Sequence, residues 1–302
     1  MITHFDKKYA KFSNVINVNL EKYISIQKDA EMPWASLYNS VKYSLMAGGK
    51  RLRPVIGLAV AEMLDCDFEK ILPYLCAIEM IHTYSLIHDD LPVMDNDDYR
   101  RGIPTNHKVF GEAKAVLAGD ALLNSAFETM LSDVSTSDLN EYKGKVDAMQ
   151  FIAKASGING MIAGQVLDID SEGKKISEST LKQMHKLKTG ALIKASVLAP
   201  AYICSATGEQ FMKLEMFSEN IGLAFQIKDD ILDVVGNFEN MGKKMGGDEI
   251  KNKSTFISMY GLEQSKVKLR EATRNAISSL DIFGEKAAFL IELTEFIEKR
   301  NK

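Results

Sequence analysis

Apolar residues in this chain recur at helical rather than strand spacing, and little interrupts them. Only six prolines occur in 302 residues, at positions 33, 54, 73, 92, 104 and 200. Most sit where a helix could start or break. Leu75, Ile78, His82, Ser85 and Asp89 fall on one helix face, and so do Gly222, Gln226, Asp229 and Asp233. No alternating stretch of useful length and no Asn-Gly hairpin signal is present. The expected fold is therefore all-α, with ten or more helices. Turn-like stretches at Gly48-Gly49, Ser135–Asp138, Ser171–Lys174 and Gly246-Gly247 are too short to be domain linkers. One bundle spanning residues 1–302, a single domain around a central cavity, is the expectation.

Composition is ordinary for a globular chain, with 46% hydrophobic and 26% charged residues. A net charge of −4 gives no basic bias toward nucleic acid. No stretch reaches the ~18 apolar residues of a membrane span, and the N-terminus carries no apolar signal segment. A soluble cytoplasmic protein is expected. Cys66, Cys76 and Cys204 lack metal-ligand spacing and sit in apolar runs. They read as small, reduced core residues.

The acidic excess is concentrated. Residues 89–98 hold five aspartates. A second cluster, Asp229-Asp230 with Asp233, lies in an apolar helical stretch. Asp229 and Asp233 are one turn apart on the same face, where like charges destabilise a bare helix. A bound cation reverses that effect, and hard oxygen ligands with open positions suit Mg²⁺ bound together with phosphates. In the first cluster, Asp89 and Asp95 would point ~240° apart on an unbroken helix. They can share a site only if the chain is re-aimed between them, and Pro92 is a plausible device. Taken singly, either cluster also reads as solvated acidic surface or loop.

Cationic groups accompany the acids. Gly48-Gly49-Lys50-Arg51-Leu52-Arg53-Pro54 looks like a helix end followed by a helix start at Pro54. Cations at a helix N-terminus make an anion site, although a solvated basic turn reads equally well. Arg100 and Arg101 could clamp two phosphates, or could simply neutralise the neighbouring aspartates. His82 is two turns before Asp89 on the same face, where a core or capping histidine is the ordinary reading. Lys188-Thr189 and Gln165 with Asp168 are polar groups in apolar helical stretches.

In this order, these motifs resemble those of the trans-prenyl diphosphate synthases, with the bacterial farnesyl diphosphate synthases nearest. The likeness runs from about Lys42 to the C-terminus. It includes the Gly48–Pro54 motif, Ser85–Pro92, Arg100-Arg101-Gly102 and Leu117–Leu123. Gly164-Gln165 with Asp168, Lys188-Thr189-Gly190 and Phe225-Gln226 with the second aspartate cluster complete it. The resemblance implies head-to-tail condensation of isopentenyl diphosphate with dimethylallyl or geranyl diphosphate, giving mainly farnesyl diphosphate. It also implies three Mg²⁺ ions and a homodimer.

Site roles follow from the same resemblance. Asp89, Asp95 and Asp229 would ligate the metal, with Asp90, Asp230 and Asp233 in support. Arg100, Lys188 and Lys243 would contact the allylic diphosphate, with help from Lys253. Lys50, Arg53, His82 and Arg101 would hold isopentenyl diphosphate, and Thr189 and Gln226 would lie beside the allylic cation. The ending Arg300-Asn301-Lys302 would close over the site. Arg51 matches the motif without a ligand, and Lys228 departs from the family pattern without a role. Lys243 and Lys244 are alternatives in a loosely matching loop. Tyr84 and Ser85, about one turn deeper than Asp89, are expected to form the floor that limits chain length. Geranylgeranyl synthesis is the nearest alternative. A terpene cyclase, a squalene synthase-type enzyme or a silent partner subunit fits less well, because both acidic clusters and the Lys50-Arg53-His82 set are present.

Overall fold

The computed structural model describes residues 3–25, 33–235 and 254–300. Fourteen α-helices dominate the described residues, and the only strands among them are the two two-residue strands of one hairpin. The helices are α1 (His4–Ser25), α2 (Ala35–Leu45), α3 (Leu52–Met63), α4 (Leu72–Asp89), α5 (Asn106–Phe110), α6 (Glu112–Ser135) and α7 (Leu139–Ser156). Then come α8 (Met161–Ser171), α9 (Glu178–His185), α10 (Ala191–Ile203), α11 (Gly208–Val235), α12 (Phe256–Tyr260), α13 (Leu262–Ser278) and α14 (Ala288–Lys299). A π-helical turn, Lys186–Gly190, links α9 to α10. Strands β1 (Tyr99–Arg100) and β2 (Ile103–Pro104) pair antiparallel just before α5.

Helices that are apolar all round lie in the middle. From Leu72 to Ile81 every residue of α4 is buried, and α3 and α10 are nearly as enclosed. Such helices find no stable place at a surface. Around them α1, α6, α7 and α11 bury only one stripe each, as with Phe12, Ile16, Leu20 and Ile24 of α1. Local caps start several outer helices. Asp138 accepts from the Asn140 and Glu141 backbones at α7, and Ser177 accepts from Thr180 at α9. A capping box between Thr255 and Ser258 starts α12. The α3 helix begins at Leu52, two residues before Pro54, which leaves the proline in the first turn where its missing N–H costs no bond.

No helix among the described residues is long and apolar enough to cross a membrane. The expectation of three reduced core cysteines is corrected. Cys76 is fully buried and unpaired, but Cys66 and Cys204 form a disulfide with a Cα–Cα separation of 5.6 Å. The two lie just beyond the C-terminal ends of α3 and α10, which pack together. They are 138 positions apart in sequence, so spacing gave no sign of the pairing.

Candidate active site

The C-terminal end of α4 delivers the first acidic cluster. The helix stops at Asp89, and the chain turns back so that the Asp95 N–H donates to the Asp89 carbonyl at 2.8 Å. Asn96 then adopts a left-handed φ of 52° and bonds to the Leu91 carbonyl. This turn, which includes Pro92, brings Asp95 back beside Asp89. Burial raises the Asp89 carboxyl, Lys188 opposes this, and Asp95 and Asp90 add like charge. Asp90 points elsewhere. It is buried and accepts from Arg100 Nε at 2.9 Å, and Arg100 also pairs with Asp97. Burial alone would weaken the Arg100 charge, but the bonds to Asp90 outweigh it and hold the guanidinium firmly protonated. Of the two sequence readings for Arg100, neutralising its aspartate neighbours is the one visible here.

Asp89 opens into a cavity of about 330 Å³. Its polar wall is Arg53, His82, Ser85, Asp89, Lys188 and Thr189, with Gln165 beside them. Its apolar wall is Tyr84, Met94, Met161, Ile162, Val166 and Ile169. His82 is neutral, because burial, then Arg53, Arg101, Arg100 and Arg51, push its proton off. Burial also lowers the Arg53 guanidinium from its ordinary value, against the pull of Glu79 and Asp229, but leaves it a cation, and its Nε is buried without a hydrogen-bond partner. Arg101 donates to the Gly48 carbonyl. It lies so close to Gly49 that a Cβ there would come within 2.6 Å of its guanidinium carbon. Lys50 is exposed on the same loop.

Lys188 and Thr189 of the polar wall come from the π turn. It packs so tightly on α8 that a Cβ on Gly164 would sit 2.1 Å from the Lys188 nitrogen. Lys188 Nζ donates to buried Asp168 at 2.6 Å. Thr189 Oγ1 donates to Gln226 Oε1 at 2.7 Å, and Gln226 Nε2 donates to Asp230 Oδ1 at 2.9 Å. Asp230 also accepts from the Phe256 backbone at 2.7 Å. Asp230 is thus a buried support, and Asp229 and Asp233 are the more accessible carboxylates of α11. Asp229 is paired with Arg300, whose guanidinium lies 4.4 Å from the centre of the Phe225 ring.

The chain is also similar to known proteins. The chain is 44% identical over 295 residues to a farnesyl diphosphate synthase of Micrococcus luteus, covering 96% of both chains. It is 43% identical to a geranylgeranyl diphosphate synthase of Cyanophora paradoxa over 88% of both. A crystal structure of a geranyltransferase from Legionella pneumophila superposes with a TM-score of 0.86 at 34% identity, covering 98% of this chain and 97% of that one. The family model described as polyprenyl synthetase matches residues 35–288. The chain belongs to the polyprenyl synthetase family. The all-α architecture expected from periodicity is the fold of these prenyltransferases.

No cluster of three or more potential ligands is assembled among the described residues. That is compatible with Mg²⁺, which keeps waters and takes one or two carboxylates plus substrate phosphates. The donor set fits: Asp89 is a buried carboxyl crowded by Asp95 and Asp90, a concentration of negative charge that a divalent cation would relieve.

Several structural features around the cavity escaped sequence reasoning. The π turn has no residue-type signature. Glu79 is buried beside the cations, and His185 is buried with its Nε2 unpartnered, 3.9 Å from Asp230. Both are charged or titratable side chains within apolar helix faces, and that is the one signal that could have drawn attention to them. Lys228 is half-buried, and burial together with Arg300 lowers its ammonium. Lys243, Lys244 and Lys253 lie outside the described residues.

Proposed function

We propose that this protein is a Mg²⁺-dependent farnesyl diphosphate synthase, a single-domain enzyme that works as a homodimer. It would join isopentenyl diphosphate head-to-tail to dimethylallyl or geranyl diphosphate. The observation that carries this reading is the shared cavity. Asp89, Lys188, Arg53, His82 and Tyr84 all line it.

Bound Mg²⁺ would neutralise the leaving diphosphate of the allylic substrate. Asp89, Asp95, Asp229 and Asp233 would hold it, with Asp90 and Asp230 fixing the local backbone. Lys188 would share its charge between Asp168 and the allylic diphosphate. Thr189 and Gln226 present oxygen dipoles beside the reacting carbon, where they can stabilise positive charge without supplying a strong nucleophile. Lys50, Arg53, Arg101 and neutral His82 would orient isopentenyl diphosphate. Its double bond would then face the allylic carbon, and holding that geometry supplies much of the rate. The apolar wall excludes water that would otherwise capture the cation. Arg100 and Lys243 would contact the allylic diphosphate, with help from Lys253.

The test is to incubate purified protein with isopentenyl and geranyl diphosphates and Mg²⁺, then identify the product. Farnesyl diphosphate, lost on chelation, supports the reading. Predominant geranylgeranyl diphosphate would favour the alternative product, and no condensation at all would overturn the reaction.

A further inference from the structure

Arg51 lies inside the motif that supplies Lys50 and Arg53, yet its side chain turns away from the cavity. It is 1% exposed and saturates three acceptors. Nη1 donates to Glu79 at 2.8 Å, Nε to Asn17 at 2.9 Å and Nη2 to the Leu45 carbonyl at 2.6 Å. Its backbone is left-handed, with φ at 49°, a conformation that is strained for a non-glycine residue. A buried ion pair adds little net stability over apolar replacements. Neither the strain nor the burial is explained by stability alone.

We propose that Arg51 is a positioning residue for the isopentenyl diphosphate site, a role that rests on the functional reading above. It does not touch substrate. The left-handed turn aims Lys50 outward and sends Arg53 into the first turn of α3. The fork ties this turn to Glu79, which precedes His82 by three residues and so shares its face of α4. One ion pair therefore sets the spacing between the α3 cations and the α4 histidine. Glu79 also offsets the positive charge of Arg53 and Arg101. The fork's grip on Leu45 fixes the start of the loop on which Arg101 rests.

Arg51→Lys keeps the charge but cannot reproduce the fork, which separates positioning from a field effect. Its KM for isopentenyl diphosphate should rise about tenfold while that for geranyl diphosphate stays within about twofold. Asn17→Ala removes one acceptor and should give the same split at about threefold. If Arg51→Lys fails to fold, Asn17→Ala decides by that split. Parallel rises in both KM values, or a lower melting temperature with neither KM moved, would overturn the proposal. A wild-type chain that neither binds nor condenses isopentenyl diphosphate would sink the functional reading, and this inference with it.

Discussion

Arg300 donates through Nη2 to Oδ1 of Asp229, 71 positions upstream, so this one residue of the Arg300-Asn301-Lys302 ending, the other two lying outside the described residues, occupies a carboxylate proposed to ligate metal. The guanidinium is nearly buried and sits against the Phe225 ring, while Asp229 is about two-fifths exposed. Arg300 and a divalent cation therefore compete for one oxygen. Removing it by Arg300→Gln should tighten Mn²⁺ binding to the substrate-free protein. Exposure of Asp229 limits the effect to about 1 kcal/mol, or roughly fivefold. Electron paramagnetic resonance of free Mn²⁺ measures this directly, and an unchanged or weaker affinity would remove Arg300 as a competitor.

Asp89 illustrates the tension between function and stability. Its carboxyl is buried and crowded by like charge. Asp89→Asn relieves that repulsion, so the metal-free protein should melt at the wild-type temperature or above it. Turnover should nevertheless fall by about a thousandfold, because a metal ligand is gone. Asp90→Asn should behave oppositely, lowering the melting temperature by stranding Arg100. If the two variants lose stability and activity in the same proportion, the division between ligand and support is wrong.

His185 makes stability pH-dependent in a defined direction. Burial, with a lesser contribution from Lys188 against the opposing pull of Asp168, lowers it to about 4 from 6.5. Asp230 stands 3.9 Å away. The folded state thus binds fewer protons than the unfolded state between those values. Stability is full above pH 6.5 and falls as the pH drops toward 4. The loss is about 3 kcal/mol at most. Urea titrations at pH 7 and pH 4.5 should show it, and His185→Gln should reduce the difference. An equal difference in that variant would assign the acid sensitivity to other groups.

Much of this arrangement was legible from spacing. Helical spacing puts His82, Ser85 and Asp89 on one face, and they do line one cavity. Pro92 suggested a break, and the chain turns back there. What escaped depended on contacts between distant segments or on backbone geometry. The i to i+5 bonding of the Lys186–Gly190 turn leaves no pattern in residue type. The Arg51–Glu79 pair spans 28 positions, and the left-handed Arg51 is invisible in a motif that reads as a run of exposed cations. The Cys66–Cys204 pairing needed the packing of α3 against α10.

Tyr84 should act as the ruler for product length. It precedes Asp89 by five residues on α4, a rise of ~7.5 Å along the helix axis. It is 7% exposed, lines the cavity and meets the His88 ring edge-on at 5.7 Å. An alkyl chain growing from a diphosphate held at Asp89 would reach this ring before any other part of α4 deeper in the wall. Ser85, one residue nearer the acid, also faces the cavity, and its hydroxyl is tied back to the His82 carbonyl at 2.9 Å. The two positions therefore make predictions of opposite sign. Tyr84→Ala should open the floor and shift products toward geranylgeranyl diphosphate and longer chains. Ser85→Phe should raise the floor and leave geranyl diphosphate as the main product. Chromatography of the dephosphorylated alcohols distinguishes them. If both variants still make mainly farnesyl diphosphate, the limit lies elsewhere, and the apolar wall formed by Ile162, Val166 and Ile169 of α8 becomes the next place to change.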